Sequence, residues 1–118
     1  MRSGMAQKRD AVNERIDRGT TNIFADLGYA DAEERQTKLK LAHMLNQILE
    51  SRALTQDAAG KLLGINQPKI SALVNYKLDG FSVERLMTYL TTLDRDVEII
   101  IRPKPASRLL GRISVKAA

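Results

Sequence analysis

The stretch from Thr55 to Leu73 admits few folds. Thr55 is a good N-cap for a compact helix that should run to about Leu63. Gly64 stops it, since glycine takes the left-handed conformation after a helix at little cost. Asn66 is a second N-cap, and Pro68 falls in the first turn of the next helix, where a missing N–H loses nothing. Two short helices therefore meet at a tight corner. Ala59 and Gly60 are small enough for the second helix to cross closely over the first, while Leu63, Ile65, Ile70 and Leu73 close the core beneath.

The flanks supply that core. Asp31, with Glu34 three residues on, reads as an acidic capping box opening a helix to about Arg52. In it Leu41, Ala42, Leu45, Ile48 and Leu49 recur at helical spacing. Upstream, Ile23-Phe24-Ala25 and Leu27 read as a short anchoring segment. Ser82 caps a last helix whose Val83, Leu86, Met87, Leu90 and Leu93 form one stripe. Aromatic residues make up 4% of the chain and tryptophan is absent, so aliphatic side chains must build the interior, which suits packed helices. The expectation is an all-α domain of five helical segments over residues 23–93, with a flexible arm over 1–22.

After residue 93 the period changes. Val97, Ile99 and Ile101 alternate with Glu98, Ile100 and Arg102 before Pro103 and Pro105, which reads as one β-strand within residues 94–105. A lone strand cannot satisfy its own backbone groups. The expected solution is pairing with the same strand of a second copy. An antiparallel register about Ile100 sets Glu98 opposite the mate's Arg102, a favourable cross-strand pair. The alternative is an extended segment lying along its own domain. Residues 106–118 read as a basic tail.

The formal charge of +5 favours a polyanionic partner. The excess lies in residues 1–22 and 94–118, while 23–93 carries eight charges of each sign, so phosphate contacts from flexible ends are one reading and solvated tails the other. With no cysteine, disulfides and thiolate zinc sites are excluded. No apolar run approaches the ~20 residues of a membrane span, and Met1 to Asn22 lacks the apolar centre of a signal peptide. A cytoplasmic protein is the simplest expectation. The second corner helix leaves Gln67, Lys69, Ser71 and Ala72 outward, polar or small groups able to reach base edges or phosphates in a major groove.

The corner resembles the Cro and phage-repressor (XRE) class of helix-turn-helix proteins, with its lambda-repressor-like fold. It shares Thr55-Gln56, a small residue four positions after the glutamine, Leu63-Gly64, and Gln67-Pro68-x-Ile70-Ser71-x-Leu73. The resemblance implies that Gln56 binds backbone phosphate and that Gln67, Pro68 and Lys69, with Ala72 one turn on, face the bases. Gln67 has the amide that pairs with adenine, and Lys69 suits guanine or phosphate. Asn66, Ser71, Asn75 and Lys77 are the further phosphate candidates. The family usually has alanine where this chain has Gly60. Beyond the corner, the leader Asn22–Gly28, Asp31-Ala32-Glu33-Glu34, Gly80–Leu86 and Asp96–Pro103 resemble a subgroup that includes HigA-type antitoxins, over about residues 22–105. That implies a homodimer repressing its own operator and binding an RNase toxin of RelE-like fold.

Nothing in the pattern supports catalysis. His43 is the sole histidine and sits mid-helix, with Gln47 where a second metal ligand would stand. Glu33-Glu34 and the Asp94/Asp96 pair are explained by capping and chain turning. Gly60, Gly64 and Gly80 do not form a phosphate loop. No cofactor or metal is expected. Two other functional readings stand beside an antitoxin repressor: a stand-alone regulator of the same fold, and a protein-interaction module that never binds DNA. An apolar groove would suit the last, whereas Gln67, Lys69 and Ser71 favour DNA.

Overall fold

In a computed structural model the backbone is described for residues 19–118 and the side chains from about residue 30 onward. Among the described residues four α-helices follow one another: α1 (Gly19–Ser51), α2 (Gln56–Leu63), α3 (Gln67–Val74) and α4 (Val83–Thr92). Two units are distinguished, residues 1–32 and 33–118, and the described part of the first is the leading portion of α1. No described helix is long and apolar enough to cross a membrane.

The five expected segments are thus four helices. The anchoring segment at Ile23–Leu27 and the helix expected from Asp31 are one continuous helix of 33 residues. Asp31 is not a cap, because the helix is already running when it is reached. Residues 23–30 include Ala25, Leu27 and Ala30 and contain no proline, so a helix propagates through them with Gly28 as the main penalty. Glu34 does not reach back to cap but faces Lys38 one turn on, at 3.6 Å. Whether Ile23, Phe24 and Leu27 anchor on the domain lies outside the described side chains. Of the arm expected over 1–22, residues 1–18 lie outside the described residues and 19–22 are helical.

Within residues 33–118 every helix gives a stripe to one core. Leu41, Ala42, Leu45, Ile48 and Leu49 come from α1, Ala59 and Leu63 from α2, and Ile70 and Leu73 from α3. Leu78 and Phe81 come from the α3–α4 loop, Leu86, Tyr89 and Leu90 from α4, and Leu93 from the residue just past its end. Ile65 packs against this core half-buried. Fully burying a Leu or Ile is worth about 1.5–3 kcal/mol, so these fifteen residues are what order such short helices. Helices of eight residues do not persist alone in water.

All four helices stop in the same way. The residue after the last turn is left-handed, at Ala53 (φ 54°), Gly64 (φ 74°), Tyr76 (φ 61°) and Asp94 (φ 65°). The next N–H then reaches back five residues: Leu54 to Leu49 O, Ile65 to Gly60 O, Lys77 to Ala72 O and Arg95 to Leu90 O, at 2.8–3.1 Å. These closures satisfy carbonyls the helix leaves over. Arg52 ties two such ends together, its guanidinium donating to Leu93 O at 2.9 Å and to Asp94 at 3.3 Å.

The expected β-strand is absent. Residues 97–102 have no regular structure, every one is exposed, and no strand occurs among the described residues. A strand is stable only where a second strand takes up its N–H and C=O groups, and the single chain offers none. Ile99, Ile100 and Ile101 are 74%, 62% and 91% exposed. The basic tail 106–118 turns back onto α1. The Ile113 N–H donates to both carboxylate oxygens of Glu33 at 3.0–3.1 Å, and Val115 packs against the core. Ala117 lies beside Leu39, His43 and Met44.

Candidate nucleic-acid interface

Three side-chain caps build the corner and its neighbour. Thr55 Oγ1 accepts the Ala58 N–H at 3.1 Å, which starts α2. The Asn66 side chain accepts the Lys69 N–H at 3.0 Å and starts α3, with Pro68 in its first turn. Ser82 does the same for α4 through the Arg85 N–H. Each takes up an orphan N–H. Between the first two helices, a Cβ on Gly60 would lie 3.0 Å from Ile65 O and 3.4 Å from Ile70 Cγ2, so the crossing is closed to within a methyl group. The far end of α3 is held from behind. The Asn46 amide on α1 donates to Leu73 O at 3.1 Å, a carbonyl of the last turn.

That frame presents the leading face of α3 to solvent. Gln67 and Pro68 are exposed, Ser71 and Ala72 half-buried, and Ile70 and Leu73 fully inside. Gln56, in the first turn of α2, and Gln67 meet, Gln67 Nε2 donating to Gln56 Oε1 at 3.2 Å. This bond uses one of the two amide hydrogens of Gln67. Its second N–H and its carbonyl remain, the donor–acceptor pair an adenine edge needs. The Gln56 amide nitrogen is likewise left over to donate to an anion.

The other candidates are differently placed. Asn66 spends its oxygen on the cap. The Asn75 amide donates to Ser71 O at 2.9 Å and so closes its own helix. Lys77 is exposed just beyond the left-handed Tyr76. Lys69 does not join the open face: its ammonium donates to Gly80 O at 2.6 Å and lies 4.6 Å from the centroid of the Phe81 ring. His43 stands on α1 with Nδ1 3.4 Å from the Tyr76 hydroxyl. No group of three or more His, Cys, Asp or Glu side chains suited to a metal occurs among the described residues. Two contributors escaped the sequence reading. Tyr89 is buried edge-to-face against Phe81, their centroids 6.2 Å apart, and Asn46 holds α3 in place. Tyr89 stands three residues after Leu86 on the buried face of α4, a spacing that would have flagged it.

The pattern of a helix-turn-helix domain family matches residues 23–102, which takes in all of α2, α3 and α4 and most of α1. A solved structure named as an XRE family transcriptional regulator superposes with a TM-score of 0.72 at 67% identity, covering 75% of this chain and 99% of that one. The chain is an XRE-type helix-turn-helix protein. No curated protein matches it. In this XRE-type chain α2 and α3 are the paired helices of the motif, and Gln67 opens the second of them.

Proposed function

We propose that the protein is a sequence-specific DNA-binding transcriptional regulator that lays α3 in the major groove. The observation that carries this reading is the solvent-facing start of α3, where the exposed Gln67 amide is held by Gln56 through one N–H, leaving its second N–H and its carbonyl uncommitted. Gln67 and Pro68 meet base edges with Ala72 one turn on. Gln56, Asn66, Ser71, Asn75 and Lys77 contact phosphates, which fix register without carrying sequence information. The regulatory role draws support from the name of the 67%-identical structure. An apolar docking surface at this face is disfavoured by its exposed amide. The protein acts in the cytoplasm.

Two copies act together on one operator. Three consecutive isoleucines in solvent, flanked by Glu98 and Arg102, support association of residues 97–102 with the same segment of a second copy. Strand formation in this reading accompanies pairing rather than preceding it. Half-sites then lie about 34–36 Å apart. An autorepressing antitoxin role, with a RelE-like RNase toxin as partner, rests on the resemblance of residues 22–105 to the HigA-type subgroup. Co-purification of a small basic nuclease from the native host tests it, and a regulator recovered alone with its operator favours the stand-alone reading.

Selection of bound duplexes from a random pool tests the DNA reading. A palindromic consensus is expected, and Gln67→Ala should lose about 1–3 kcal/mol of discrimination at one or two base pairs per half-site. A pool that enriches nothing, or a consensus indifferent to Gln67, overturns it.

A further inference from the structure

The Lys69 side chain leaves the open face of α3 and closes on the loop before α4. Its Nζ sits 2.6 Å from Gly80 O, a charge-assisted bond, and 4.6 Å from the centre of the Phe81 ring. Phe81 is 3% exposed and braced edge-to-face by Tyr89 of α4. The ammonium therefore rests on a ring that cannot yield. A Cβ on Gly80 would come within 3.2 Å of Nζ, so an alanine there would make the amine give by a few tenths of an ångström. The loop is held at both ends: the Lys77 N–H is bonded to Ala72 O at its start, and Lys69 grips Gly80 near its end, with Leu78 buried between. Exposed Lys77 sits on the stretch so fixed.

We infer that Lys69 is a positioning residue that fastens the α3–α4 loop to α3, setting Lys77 at the height where it meets phosphate while Gln67 meets bases, and that Lys69 itself touches no DNA. The inference rests on the proposed DNA-binding function. It assigns Lys69 a role opposite to that of a base reader, and it predicts a different pattern of loss.

The test measures binding of the intact protein to its selected duplex, to single-base variants of that duplex, and across a salt series. Lys69→Met keeps the apolar stem and removes the ammonium. It should weaken all duplexes alike, by about threefold to tenfold if one cation–π and one charged contact are lost, with a salt slope shallower only so far as Lys77 loses its phosphate. Lys69→Arg, which retains a donor and a stacking cation, should restore most of the affinity. Gly80→Ala should weaken binding no more than Lys69→Met and add little to it in the double variant. Lys77→Ala should cost less in the Lys69→Met background than in the wild type, a coupling that a general loss of stability would not produce. In a Lys77→Ala background, where that phosphate contact is already gone, a salt slope made shallower by a further ~0.9 per site by Lys69→Met, or lost preference at one base pair in Lys69→Met, shows Lys69 on the DNA and overturns the inference while leaving the DNA reading intact. A wild type that binds no duplex overturns both.

Discussion

Gly60→Ala sets two opposing effects of known size against each other at the helix crossing. In a free helix the change is worth about 1 kcal/mol in favour of alanine. The new methyl, however, would stand 3.0 Å from Ile65 O and 3.4 Å from Ile70 Cγ2. Ile70 is fully buried, and Ile65 O is backbone in the turn leading into the Asn66 cap, so neither can swing aside alone. The two helices must part by a few tenths of an ångström, an overpacking that costs about 1–3 kcal/mol. The cost wins. The variant should be less stable by about 1 kcal/mol, which for a domain of this size lowers Tm by roughly 4–8 °C. Urea denaturation followed by circular dichroism reads the difference, with an unchanged m-value showing that the unfolded state is not the cause. A Gly60→Ala protein more stable than wild type would show that the crossing relaxes freely and refute the reasoning.

Other consequences are equally concrete. Ala53 occupies a left-handed position on the surface, so Ala53→Gly should raise stability, by about 0.5–1 kcal/mol in the same denaturation assay. Burial pushes the Tyr89 phenol above its ordinary value of 10.0, with the Arg85 charge partly offsetting. The stability this protects is present below about pH 10 and is lost as pH rises through the folded-state value, because the unfolded chain ionises first; Tyr89→Phe should flatten that part of an alkaline stability profile. Replacing Ile99 and Ile101 with aspartate together should yield monomers by sedimentation and weaken operator binding, without altering the melting of a domain to whose core those side chains contribute nothing.

The corner was legible because its signals are local. Thr55, Asn66 and Ser82 cap through bonds that span three residues, and Gly64 is the residue type a left-handed stop prefers. The other three stops were not, since Ala53, Tyr76 and Asp94 take the same conformation without the type that announces it; the closing bond five residues back is what holds them. Asp31 misled because a capping pattern permits a helix start without forcing one when the preceding residues also favour helix. Residues 97–102 show the limit of alternation as a signal: the period marks a strand-capable segment, and forming the strand needs a second one. Lys69 could not be placed from sequence, because its partners lie eleven and twelve residues away on a loop whose course depends on the burial of Leu78 and Phe81. The tail's return to Glu33 spans eighty residues and carries no local mark.

The surface on which the account depends can be watched directly by following backbone amide and side-chain amide resonances as operator duplex is added. The largest changes should fall on Gln56, on Gln67 through Ala72 and on Asn75 through Lys77, with the Gln67 side-chain amide among them. Changes centred on residues 97–102 or on the face of α1 near His43, with α3 unmoved, would contradict it.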